Sequence, residues 1–324
     1  MSTLYPLCFQ PLFKEYLWGG RRLGTLLDKP IGDGPTFAES WEAVDHGENQ
    51  SVVADGPLAG KTLHDIVSEH GQELFGKHHP QPVFPLLFKF LDAKKTLSVQ
   101  VHPNDEQGAK LDPPDLGKTE AWVVLAAEPG SQIYAGLKPG VTRESLAAAV
   151  EAGTSDQCLH AFEPTVGDCV FIKAGTVHAL GEGLVIAEIQ QASNTTFRLF
   201  DWNRVDKDGN SRPLHIEQSL DVTDFARGPV APQSPQPTGD EGVERLVECD
   251  KFVLERATRS ETLKLDLGDR FHLIAVLDGT VTLAFASGFV ELPKGQTVLV
   301  PAACGSIELK PIGVATWLDM YLPG

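Results

Sequence analysis

Residues 96–102 alternate polar and apolar side chains, and a period of two is the mark of a half-buried strand. Ser98, Gln100 and His102 then share one face and Val99 and Val101 take the other. The same alternation opens a second strand at Lys118, Glu120 and Trp122. A third is read over Cys169-Val-Phe-Ile and leads through a glycine turn at Gly175 to His178. Residues 184–191 alternate again, and residues 195–200 continue the pattern with Arg198 on a face with Thr196 and Phe200. Helical spacing is confined to short stretches. Residues 62–71 have Thr62 as N-cap, Asp65 at the third helical position, apolar Leu63, Ile66 and Val67, and a stop at Gly71. Residues 142–153 and 214–225 supply two more, so the chain is mainly β with few helices.

Residues 228–239 carry four prolines and no aliphatic run, which marks a linker. It divides the chain into 1–227 and 240–324. Beyond it, Gly295-Gln-Thr-Val-Leu-Val-Pro301-Ala-Ala repeats the spacing of Gly167-Asp-Cys-Val-Phe-Ile-Lys173-Ala-Gly175, an internal duplication. In the second copy Ser306 stands where the first has His178, and no Gln-x-His precedes it. That half is not expected to hold the same metal. Between Gly130 and Gly167 there are 37 positions, against 16 between Gly279 and Gly295, so the first unit carries an insertion about the size of the 142–153 helix.

Gln100, His102, Glu120 and His178 offer two imidazole nitrogens, one carboxylate and one carboxamide from three strands. That donor set suits one divalent transition metal, with zinc the default when no redox chemistry is implied. Lys118 lies two residues from Glu120 on the same face, where it can relay protons. Arg198 stays charged at any working pH and suits holding a negative oxygen. The formal charge of −17 argues against nucleic acid and anionic membrane as partners. An anionic substrate therefore needs a local basic pocket, for which Lys89, Lys95, Lys118, Arg198 and Arg204 are the candidates, while Arg21 and Arg22 read as solvated charges. No run approaches the roughly 18 apolar residues of a membrane helix, and the first residues lack the pattern of a signal peptide. Five cysteines without a Cys-x-x-Cys pair read as reduced thiols of a cytoplasmic protein.

Gln100-x-His102, then Glu120, then Gly167-x5-Lys173-x-Gly175-x2-His178 resembles the two-part metal signature of cupin barrels, with lysine where proline is commoner. Leu-Phe-Lys89-Phe-Leu, Leu-Ser98-Val-Gln100-Val-His102-Pro-Asn, Gly117-Lys-Thr-Glu120-Ala-Trp and Asn194-Thr-Thr-Phe-Arg198-Leu-Phe-Asp-Trp-Asn are similar to the type I mannose-6-phosphate isomerases in their short bacterial form. The resemblance implies two cupin (jelly-roll) barrels, the first with short helices inserted and the second degenerate. It also implies a zinc-dependent interconversion of mannose 6-phosphate and fructose 6-phosphate by enediol proton transfer, with a catalytic role for Arg198 and with Ser98 and Lys89 on the phosphate. Two other readings compete with it: a non-catalytic sugar-binding bicupin, and a metal-dependent cupin oxygenase. Gln100 weakens the second, because such sites are usually richer in histidine.

Overall fold

The computed structural model describes residues 4–205 and 209–324. The tight turn read at residues 206–210 begins outside the described residues. Within them the chain forms several antiparallel sheets and a few short helices, a cupin-type fold. No helix among the described residues is long and apolar enough to cross a membrane.

The first barrel closes a six-stranded sheet on a five-stranded one. The six strands run in the order Cys169–Ile172, Glu120–Ala127, Leu184–Gln191, Leu86–Ala93, Glu39–Ala43 and Leu12–Lys14. The five run Leu159–Phe162, Ile133–Leu137, His178–Leu180, Val99–Val101 and Phe197–Phe200. Trp122, Val124, Val170, Ile172, Leu184 and Ile186 from one sheet meet Ile133, Ala135 and Leu180 from the other, filling one end of the barrel with an apolar cluster. On the outer face of the smaller sheet, Leu146, Val150 and Leu220 from the helices Arg143–Glu151 and Ile216–Val222 pack on Val99, Val101, Leu199 and Phe200.

The larger sheet is covered on both sides. Strand Leu184–Gln191 is buried at every position, because Val185, Ala187 and Ile189 face a second apolar layer shared with the C-terminal barrel. Phe88 and Phe90 do the same from the neighbouring strand, which turns Lys89 into the first barrel. The far side of this seam is supplied by Leu254, Leu273, Ala275, Leu318 and Met320. Helix Leu63–Phe75 wedges Ile66, Val67, Leu74 and Phe75 into it. Its N-terminus carries the expected capping box on Thr62 and Asp65. It kinks at His70, where φ is −131° and ψ 23°, just before the expected stop at Gly71, and a second helical piece ending at Phe75 carries Leu74 and Phe75 into the seam, where their burial supports it.

The linker is fastened down. Val230 N donates to Ala135 O at 3.1 Å, Gln233 N to Cys169 O at 2.7 Å, and Gln236–Pro237 pairs with Val243–Glu248. Another contact crosses the expected division between 1–227 and 240–324. Leu7–Gln10 pairs with Thr297–Val300, so the first strand of the chain extends the eight-stranded sheet of the C-terminal barrel. Arg22 departs from its expected solvated role: its guanidinium bonds the buried carboxylate of Asp92 at 2.7 Å and the carbonyls of Gly183 and Leu184. The run 195–200 also differs in detail. A bulge between Arg198 and Phe200 sends Phe200 into the helix-covered core and leaves Arg198 with Thr196 on the cavity side.

Phe75, Phe84 and Phe271 meet at the seam with ring centroids 4.8–6.3 Å apart, two rings from the first half and one from the second. Phe271→Ala should lower unfolding free energy by about 3–5 kcal/mol, the cost of truncating a buried aromatic ring. Both barrels should still melt together in calorimetry, since the seam is common to them. Two resolved transitions in the unmutated protein would contradict a shared core.

Candidate metal and active site

Each imidazole is aimed by its own backbone contact. His102, one residue past strand Val99–Val101, has Nδ1 at 2.9 Å from Thr195 O, and His178 has Nδ1 at 2.9 Å from Thr176 O. A carbonyl can only accept, so both Nδ1 atoms carry the proton and both Nε2 atoms present a lone pair. The loop between Lys173 and His178 is tied to the other histidine, because Gly175 N donates to His102 O at 2.9 Å. Gly175 adopts φ +84°, a conformation that a side chain would strain. Trp122 sets its ring edge-on to His178 with centroids 5.3 Å apart, and the two histidine rings lie 4.8 Å apart.

Ligand atoms of His102, Glu120 and His178 all fall within 4.8 Å of one another, and all three side chains are buried. His178 Nε2 stands 3.3 Å from Glu120 Oε1 and His102 Nε2 stands 3.6 Å from Glu120 Oε2. Gln100 completes the group, its amide nitrogen 3.3 Å from His178 Nε2, and turning the amide over brings Oε1 to the same place. Burial pushes the His178 imidazole down to about 3 and holds His102 well below the usual histidine range, the latter with help from the charge of Lys118. Both rings are thus neutral donors. Glu120 Oε1 accepts no hydrogen bond although buried, and it faces a nitrogen lone pair. Lone pairs converging without hydrogens between them repel, so the residues present fit a cation. Among the described residues no other trio of such side chains lies this close, and Ser306 of the C-terminal barrel is exposed at the surface.

Around this cage lies a layer of charge. Lys118 Nζ is 2.6 Å from Glu120 Oε2 and 2.9 Å from His102 Nε2. Lys89 Nζ is 3.2 Å from Glu188 Oε1 and 3.6 Å from Glu39 Oε2. Burial works against the charge of Lys89, but the carboxylates of Glu188, Glu39 and Glu120 outweigh it and raise its pKa. Burial also raises that of Glu188, with Lys89 opposing. Glu39, Glu188 and Glu120 against Lys89 and Lys118 leave one formal negative charge, which a divalent ion would turn into one positive charge.

The cage opens on a cavity of about 260 Å³. Ser98, Gln100, Lys89, Lys118 and Arg198 line it, and with them Tyr16, Trp18, Glu39, Glu188, Thr196 and Arg212. His178, Gln100 and Arg198 are in register across three neighbouring strands, which fixes the arginine beside the cage. Arg198 Nε donates to Ser98 Oγ at 3.4 Å and Nη1 to Pro213 O at 2.9 Å. Five of the eight residues singled out in the sequence line this space, Lys89 among carboxylates, and the other three, His102, Glu120 and His178, adjoin it through Gln100 and Lys118.

Glu39, Glu188 and Arg212 escaped sequence reasoning. For Glu188 a signal existed, since it and Gln190 are the polar positions of one parity in a strand whose one other polar residue is its last, Gln191. Arg212 lies in an irregular segment where no periodicity points to a face, and Tyr16 and Trp18 arrive from an irregular N-terminal segment for the same reason.

Residues 7–121 match the family model described as the catalytic domain of type I phosphomannose isomerase. The mannose-6-phosphate isomerase ManA of Bacillus subtilis (strain 168) is 35% identical over 317 residues, 95% of this chain and 96% of the relative. A mannose-6-phosphate isomerase of Streptococcus mutans is 35% identical over 298 residues, 91% of this chain and 92% of the relative. Among solved structures, the mannose 6-phosphate isomerase from Bacillus subtilis superposes with a TM-score of 0.90 at 27% identity, covering 98% of this chain and all of the other. Aligned with such relatives over nearly the full length of both partners, the chain belongs to the type I mannose-6-phosphate isomerase family.

Proposed function

We propose that the protein is a metal-dependent aldose–ketose isomerase that interconverts mannose 6-phosphate and fructose 6-phosphate by enediol proton transfer. The observation that carries this reading is the buried His102–Glu120–His178 cage opening onto a cavity that also holds Lys118 and Arg198. Curated relatives at 35% identity bear the isomerase name, so neither the oxygenase nor the non-catalytic reading is retained.

Gln100, His102, Glu120 and His178 would hold the ion, and zinc is the one we assign from the nitrogen and oxygen donors. Bound there, it would supply Lewis-acid charge toward a sugar oxygen. Lys118, between two donor atoms and lining the cavity, is placed to pass a proton to or from the sugar. Arg198 keeps a fixed positive charge where negative charge builds on oxygen. Glu188, a buried carboxylate bordering the same cavity, is a second group able to take a proton. Ser98 is read as a donor to the phosphorylated end of the substrate, and Lys89 as a floor group whose charge is shared with Glu188 and Glu39. Within this reading, residues 1–227 form the catalytic unit, 228–239 strap it, and 240–324 form a supporting barrel. All five cysteines are free thiols, in keeping with a cytoplasmic enzyme.

NMR of the protein mixed with mannose 6-phosphate should show fructose 6-phosphate accumulating to equilibrium, and unphosphorylated mannose should react far more slowly. No conversion by metal-loaded protein would end the isomerase assignment. His102→Ala and His178→Ala should each lose bound metal by elemental analysis and lose activity with it; full occupancy in either would displace that residue from the ligand set. Arg198→Ala and Lys118→Ala should retain metal. Arg198→Ala should lower kcat by about 10² to 10³ at every pH, as loss of one transition-state donor does. Lys118→Ala should lower it by roughly 10² and also move the pH–rate profile, because a proton relay titrates and an electrostatic clamp does not.

A further inference from the structure

Residues 117–119 form a thin wall between two cavities. Lys118 turns into the cavity beside the cage, while Thr119 lines a cleft of about 720 Å³ between the two halves of the chain. Three consecutive amides of this wall are held from outside it. Lys118 N donates to Pro103 O at 3.0 Å, Gly117 N to Asp105 Oδ1 at 2.9 Å and Thr119 N to Gln191 Oε1 at 3.1 Å. The last two belong to one device, because Gln191 Nε2 donates to the same Asp105 Oδ1 at 2.8 Å. Only glycine fits at 117, where a Cβ would come within 2.5 Å of Asp105 N.

The second oxygen of Asp105 faces the C-terminal half. Lys251 Nζ meets Asp105 Oδ2 at 2.6 Å and Asp250 Oδ2 at 2.8 Å. Burial works to raise the Asp105 pKa, and Lys251, Gln191 and the Gly117 amide outweigh it and lower it. Lys251 stands in the turn between strands Val243–Glu248 and Val253–Arg259, next to Phe252. That ring is fully buried in the seam and packs edge-on to Phe171 with centroids 6.3 Å apart, so the ammonium is mounted on a rigid base. Its ion pair is partly exposed and adds little to stability. The geometric consequence is larger, because the pair fixes the carboxylate that holds the amides on both sides of Lys118.

We propose that Asp105 and Gln191, braced by Lys251 of the C-terminal barrel, are positioning residues for Lys118, so that the second barrel takes part in catalysis through one ion pair. The inference rests on the isomerase reading for the step that Lys118 performs. Its Nζ has to stay between His102 Nε2 at 2.9 Å and Glu120 Oε2 at 2.6 Å, yet it rides on a flexible four-carbon stem. Fixing the backbone on either side limits where that stem can reach, and a displacement of about 1 Å in a reacting group costs on the order of 10² in rate. Neither Asp105, Gln191 nor Lys251 lines the cavity beside the cage, so their loss should act through Lys118 and leave sugar binding alone.

The test uses the metal-loaded full chain, steady-state kinetics with mannose 6-phosphate, and amide hydrogen exchange read by mass spectrometry on a peptide containing residues 117–119. Lys251→Met should lower kcat by about three- to ten-fold and Asp105→Ala by up to about 10², with KM and bound metal little changed. Asp105→Asn, which keeps an acceptor oxygen, should fall between them, and it carries the test if the alanine variant does not fold. Placed on Lys118→Ala, the same substitutions should lower kcat no further, because a positioning residue has no effect once the group it positions is gone. Exchange at 117–119 should quicken in Lys251→Met and Asp105→Asn. Unchanged kcat in these two variants, or losses that multiply fully with that of Lys118→Ala, would overturn the proposal. Faster exchange in variants of a chain that does not turn over mannose 6-phosphate even when unmutated would instead overturn the isomerase reading and leave the tether standing.

Discussion

Ionised side chains taken out of water inside the first barrel are the constraint on which the rest of the structure depends. Glu120, Glu188, Lys89 and Lys118 are all buried, and such groups persist only where opposite charges and hydrogen bonds replace the solvent they lose. Contacts of 2.6–3.8 Å between the ammonium groups and these carboxylates supply that replacement. Glu120 Oε1 and the His178 Nε2 lone pair are left over, facing each other at 3.3 Å, while the His102 lone pair meets Lys118 Nζ. The cage is therefore an arrangement that protein alone does not complete, and its need for a cation follows from the same electrostatics that hold it together.

Such a site has to be rigid, and the seam between barrels makes it so. The strands that carry Lys89 and Glu188 are buried on both faces, one toward the cavity and the other toward Phe88, Phe90, Val185, Ala187 and their partners from the C-terminal half. A sheet with one face in water would leave these residues on a yielding floor. Having no such donor cluster of its own, the C-terminal barrel contributes through this apolar face and through the strand it borrows, Leu7–Gln10. The prolyl strap across residues 228–239 adds hydrogen bonds to both units. The two halves of the chain are thus joined by a shared core and a shared sheet.

The acidity of the chain and the sign of its substrate pull against each other. Far from the site the field repels an anion, and close to it the balance changes at the cage once a divalent ion is counted.

Much of this was legible in the sequence, because strand periodicity is a local property. Alternation alone put Gln100 and His102 on one face and Lys118, Glu120 and Trp122 on another, and capping residues marked the starts of the helices at Thr62 and Thr142. The spacing of Gly167, Gly175 and His178 set against Gly295 and Ser306 reads as a repeat whose second copy lacks the histidine. What only the tertiary structure decided is what depends on neighbours distant in the chain. A run of residues does not reveal that Lys89 shares its charge with Glu188, that another helical piece follows the kink at His70, that a bulge turns Phe200 away from Arg198, or that the first strand belongs to the last barrel. Those outcomes are set by burial and by partner charges, quantities that come into being only when segments a hundred residues apart are brought into contact.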